Sequence, residues 1–170
     1  MSLRARTEQC ARPEGAKETP VPGTYSQILL HVVFSTKGRQ PLISAEIAER
    51  LYPYIGGIVR AERGVLIGIG GVEDHVHMYL RWRPDGSISD LMRTVKSRSS
   101  KWLHTTYPSL ASFAWQEGYS AFSVSKSQEN AVKAYIARQR EHHQQEDFKS
   151  ELMRLLEAHA IEVDKRYVFD

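Results

Sequence analysis

One cysteine, Cys10, is all that the 170 residues contain. No disulfide within a single chain can staple this protein, and a reducing cytoplasm is the expected compartment. No apolar run approaches the roughly 20 residues of a membrane-spanning helix, and the first residues lack the apolar stretch of a secretory signal, so no membrane partner is expected. A phosphate-cradling loop is missing too. Gly68, Gly70 and Gly71 begin a G-x-G-x-x-G spacing, but its last position is Glu73, and no nucleotide cofactor is predicted. Acids are absent from one long stretch: between Leu91 and Gln116 stand Arg93, Lys96, Arg98 and Lys101 with no Asp or Glu. The net charge of +3 is modest, yet this segregation suggests a surface for phosphates; a solvated helix face accounts for it equally well.

What is present reads as one domain with an appendage. Residues 1–22 are polar and carry Pro13, Pro20 and Pro22, the pattern of an extension outside the fold, which leaves 23–170 as the domain. Residues 25–35 form a β-branched and aromatic strand whose continuous apolar character predicts cover on both faces. A basic turn with Lys37 and Arg39 ends it. Ser44 caps a helix with Ile47, Leu51, Ile55 and Ile58 at helical spacing, and Pro53 should kink it. Residues 65–72 and 75–82 read as a hairpin. Ser87 and Asp90 resemble a capping box opening a third long segment with Leu91, Met92, Val95 and Leu103 on one side. Residues 113–124 predict one or two short strands, 127–143 a helix, and 148–158 another amphipathic helix. The order is β-α-β-β-α-β plus two helices. It predicts an α+β, ferredoxin-like antiparallel sheet with helices on one face and C-terminal helices appended.

Within that sheet, His75-Val76-His77 places two imidazoles one residue apart. On a strand both point to the same face, where they can hold one metal ion; a pair of hydrogen-bonded strand histidines has the same spacing. Far along the chain, Tyr135-Ile136-Ala137-Arg138-Gln139 puts a phenol and an amide one helical turn apart, so that a nucleophile and a third ligand can arrive together. Ligand softness alone favours zinc, nickel or iron for two imidazoles and an amide. All three donors are neutral and leave the charge of the ion available to a phosphate. Glu73 and Asp74 turn the hairpin, or fix an imidazole tautomer. His31 reads as a strand residue with a local hydrogen bond, and His142-His143 as a solvated helix end.

These pieces, in this order, resemble the single-tyrosine HUH transposases of the smallest insertion sequences, the insertion sequence 200/605 type that includes REP-associated tyrosine transposases. The matching segments are His31-Val32-Val33-Phe34-Ser35-Thr36-Lys37 with Arg39; Gly70-Gly71-Val72-Glu73-Asp74-His75-Val76-His77; Trp115-Gln116-Glu117-Gly118-Tyr119-Ser120-Ala121-Phe122-Ser123-Val124-Ser125; Tyr135-Ile136-Ala137-Arg138-Gln139; and Tyr167-Val168-Phe169-Asp170. The resemblance implies that His75, His77 and Gln139 bind a divalent ion, Mg2+ or Mn2+, and that Tyr135 is the nucleophile. It implies cleavage and rejoining of single-stranded DNA at hairpin-marked ends through a 5′-phosphotyrosine. It also implies homodimers in which the tyrosine helix of the partner can complete each site. A long apolar strand at residues 25–35, if it lies at an edge, is a further reason to expect a dimer. Lys37, Arg39, Arg93, Lys96, Arg98 and Lys101 are the candidate phosphate contacts. Two rivals compete with this reading: a metal-dependent hydrolase using water, and a domesticated nucleic-acid-binding protein without catalysis.

Overall fold

The computed structural model describes residues 25–144 and 146–164. The N-terminal extension with Cys10 and the closing Tyr167-Val168-Phe169-Asp170 segment lie outside the described residues. Side-chain alternation along the strands decides the architecture. In β1 (Ile28–Ser35), Leu30, Val32 and Phe34 join a core with α1 (Ala45–Ala61) and α2 (Ile88–Thr106), while Leu29 and Val33 serve two smaller clusters on the opposite face. β3 (His75–Trp82) repeats the division: Val76, Met78, Leu80 and Trp82 join the first core, and Tyr79 packs on the other side. By the same alternation His75 and His77 lie on the side of Tyr79.

β2 (Val65–Gly71) pairs with β3 as the predicted hairpin, and β4 (Ser120–Ser123) pairs with β1. The strand order is β2-β3-β1-β4 with each neighbouring pair antiparallel. This is the ferredoxin-like arrangement that the element order predicts. β1 is therefore an interior strand, paired on both sides, which corrects the idea of an apolar edge there. Its continuous apolar run answers instead to cover on both faces: α1 and α2 on one, and α3 (Glu129–Ala137), α4 (Gln139–His142) and α5 (Phe148–Ala158) on the other.

The helix ends follow their caps. Ser44 Oγ accepts from the Ile47 amide, Ser87 Oγ from the Asp90 amide, and Asp147 Oδ1 from the Ser150 amide, each satisfying one orphan donor of a first turn. α1 continues through Pro53 as one helix, because Leu51 before it and Ile55 and Ile58 after it are all buried in the same core. The single helix expected over 127–143 is divided. A 3-10 turn at Lys126–Gln128 leads into α3, and Arg138 (φ −101°, ψ 16°) separates α3 from α4, its amide shared between the carbonyls of Ala134 and Tyr135. Among the described residues no helix is long and apolar enough to cross a membrane.

Candidate active site

His75 and His77 are fully buried beneath the C-terminal helices, not facing solvent as a sheet surface alone would leave them. Each ring is held from behind. His75 Nδ1 is 2.7 Å from Asp74 Oδ1, so it donates there, and in the neutral ring Nε2 is then the lone pair. His77 Nδ1 is 2.9 Å from His31 Nε2; with His77 as donor, its Nε2 is likewise a lone pair. Burial pushes His31 down to about 3 and His77 down to about 4, keeping both rings neutral. Burial also opposes charge on His75, but the Asp74 and Glu151 carboxylates outweigh it and raise the ring above the ordinary histidine value. The bond made by His31 is thus not local, since it reaches 46 positions along the chain.

α3 comes down on β2 at Gly70, where a Cβ would stand 2.5 Å from the Ile136 carbonyl oxygen. Only glycine permits that approach, and it sets the neighbouring Tyr135 over the histidines, 5.9 Å from the His77 ring centre. Gln139 follows at the start of α4 and is buried. α5 then returns across the same face and inserts Glu151. The Tyr135 hydroxyl donates to Glu151 Oε1, as does Gln139 Nε2 at 3.1 Å, while His143 Nε2 lies 2.9 Å from Oε2. Burial works against the charge of Glu151, yet His75, His77 and Tyr135 hold it well below the usual carboxylate range. Burial and that same carboxylate push the Tyr135 phenol upward, opposed by Arg154, whose Nη2 is 3.2 Å from the phenol oxygen.

Three buried polar atoms at this point have no hydrogen-bond partner: His75 Nε2, His77 Nε2 and Gln139 Oε1. A buried unsatisfied group costs about 1–3 kcal/mol. Three of them would consume a large share of the roughly 5–15 kcal/mol by which a domain is stable. All three are lone-pair donors to a cation, and they are the three ligand atoms expected from the sequence. The site therefore fits a divalent ion on its own chemistry.

The structure brings together His75, His77, Tyr135 and Gln139. It sets the basic residues elsewhere. Lys37 and Arg39 lie in the 3-10 turn at the end of β1, the end at which Ser35 pairs with His75. Arg93, Arg98 and Lys101 are exposed on α2, across the sheet from the histidines. Lys96 donates to the carbonyls of Gln116, Glu117 and Gly118 at 2.6–2.8 Å. His143 is not part of a solvated helix end, because the returning α5 covers it; only His142, 2.6 Å from Glu146, stays near the surface. Glu151 and Arg154 were missed in the sequence. A signal for Glu151 existed, for it occupies an apolar-face position between Phe148, Leu152 and Leu155, where a carboxylate needs a reason.

Residues 24–139 match the family model described as transposase IS200 like. The ISDra2 transposase TnpA of Deinococcus radiodurans is 25% identical over 122 residues, which cover 69% of this chain and 87% of that relative. Two solved structures share the fold. One is of a Deinococcus radiodurans R1 protein assigned as a transposase (TM-score 0.56, 22% identity, 69% of this chain and 94% of that one). The other is a REP-associated tyrosine transposase bound to a REP hairpin (TM-score 0.55, 13% identity, 71% of each chain).

Proposed function

This chain belongs to the IS200-like transposase family, and from that membership we propose that residues 23–170 cleave and rejoin single-stranded DNA at hairpin-marked element ends, with Tyr135 as nucleophile and His75, His77 and Gln139 as ligands of Mg2+ or Mn2+. The observation that carries the reading is convergence: three orphaned ligand atoms and one phenol meet around a single carboxylate. The hairpin partner is the one seen with a fold neighbour, and a homodimer is proposed on the family resemblance.

When bound, the ion supplies Lewis-acid polarisation of the scissile phosphate. The remaining chemistry belongs to the chain. A phenol of ordinary pKa near 10 is a poor nucleophile at neutral pH, and in this site its proton is held toward Glu151 Oε1. Attack forms a bond between the Tyr135 oxygen and phosphorus and releases the 3′-oxygen as a hydroxyl. Arg154 stands beside the phenol oxygen to offset charge as it builds. Attack by a 3′-hydroxyl in the reverse sense restores the phosphodiester and returns the phenol, so rejoining needs no nucleotide. His31 and Asp74 only orient the imidazoles.

Labelled single-stranded DNA from the flanks of the gene, incubated with Mn2+ and resolved on a denaturing gel, tests this. The wild-type chain should give a protein–DNA adduct, and Tyr135→Phe should give neither adduct nor cleavage while still binding the hairpin. Equal cleavage by both, with no adduct, would assign the site to water-driven hydrolysis instead.

A further inference from the structure

The donors at this site outnumber the three expected. The ligating atoms of His75, His77, His143 and Glu151 all lie within 4.8 Å of one another. Donors bound to one ion at about 2.1 Å stand about 3.0 Å apart at octahedral corners and about 3.4 Å apart at tetrahedral ones. Glu151 Oε2 is 3.4 Å from His75 Nε2, 3.4 Å from His77 Nε2 and 2.9 Å from His143 Nε2. The first two contacts lie at ion-pair distance but are too long to satisfy either histidine nitrogen with a well-formed hydrogen bond. Their spacing is also that of donors around one shared cation.

We propose that Glu151 and His143 are ligands of the same divalent ion as His75 and His77, so that the ion bolts α5 onto the sheet. The inference rests on the metal reading of His75 and His77 given above. It adds two ligands that lie beyond residues 24–139, the span matched by the family model. Glu151 is fully buried between Phe148 and Leu152, and a carboxylate in such a place calls for a counter-charge. A divalent cation at this point supplies two units of it. In turn the carboxylate adds a hard oxygen to a nitrogen-rich set, which moves the site toward manganese.

Calorimetric titration of the full chain with Mn2+, and the visible absorption of the Co2+ form, test the proposal. Wild-type protein should bind one ion per chain. Glu151→Leu, which removes the donor, and His143→Ala should each weaken binding at least tenfold and shift the Co2+ bands. Glu151→Gln should fall between Glu151→Leu and wild type, and Glu157→Gln, an exposed change on the same helix, should match wild type. Mn2+ should slow hydrogen exchange across α5 in wild type but not in Glu151→Leu. Wild-type affinity in both the Glu151→Leu and His143→Ala proteins, with binding lost in His75→Ala, would overturn this inference and leave the His75–His77 site standing. Wild-type affinity in His75→Ala would overturn the metal reading itself. Should Glu151→Leu fail to fold by circular dichroism, His143→Ala and the exchange of α5 in wild type decide the matter.

Discussion

Asp74 acts on the site without belonging to its donor set. By accepting from His75 Nδ1 it fixes which nitrogen faces the other donors, and loss of such a partner typically costs 10–100-fold in metal affinity. Asp74→Ala is expected to lower Mn2+ affinity by about that factor with little change in melting temperature, since the side chain is partly exposed on a hairpin turn. Calorimetry that finds unchanged affinity would remove Asp74 from the mechanism. Lys96 is the opposite case, a residue that looks functional and is spent on the fold. Its ammonium satisfies three carbonyls of the segment leading into β4, and burial holds it down to about 8. Lys96→Met should therefore destabilise the protein by ~1–3 kcal/mol and leave the salt dependence of DNA binding unchanged. Arg98→Ala and Lys101→Ala should preserve stability and each reduce the salt slope by about one unit, provided that α2 tracks phosphates. Denaturant melts and binding measured at several salt concentrations separate the two kinds of lysine.

Elements of this chain were legible wherever their signal was local. Apolar periods, Ser44 and Ser87 caps and the Glu73-Asp74 turn are short-range patterns, and α1, α2 and the β2–β3 hairpin follow from them. The two histidines share a face because strands alternate, and that too needs no tertiary information. What the sequence could not reveal is how α5 returns over the sheet, because nothing local links Glu151 to His75, 76 positions earlier. The break at Arg138 is hidden for a related reason: helix propensity continues through it, and the burial of Gln139 beneath α5 is what turns the chain. Gly70 shows how a failed motif can still be informative, for the glycine that completes no nucleotide loop is the one on which α3 lands. In Gly70→Ala the new Cβ meets a backbone carbonyl, not a yielding side chain, so α3 must lift. The expected loss is about 1–3 kcal/mol of stability, together with faster hydrogen exchange in α3 and a larger fall in DNA cleavage than in Mn2+ affinity. Cleavage at the wild-type rate would mean that the position of α3 on β2 does not matter to Tyr135.

At the scale of the whole molecule, the connection between sheet and tyrosine helix bears on whose Tyr135 serves each site. Only residues 124–128 connect β4 to α3, which keeps the tyrosine helix near its own sheet, and the close seat at Gly70 and the bond from Tyr135 to Glu151 hold it there. A helix exchanged with a partner would have to leave both contacts and recreate them on another sheet. In the proposed homodimer each subunit should therefore act with its own tyrosine, even though the family resemblance implies that the partner can supply it. Mixing His75→Ala protein with Tyr135→Phe protein distinguishes the two arrangements. If each site uses its own Tyr135, every site in the mixed dimer lacks one component, and no adduct with labelled DNA should form. If the helices exchange, one of the two sites in each mixed dimer is wholly intact, and because only half of the dimers in an equal mixture are mixed, adduct should return to about a quarter of the wild-type amount. Subunit exchange is verified separately, with the two variants carrying different tags, so that absence of adduct reports on the site and not on a failure to mix.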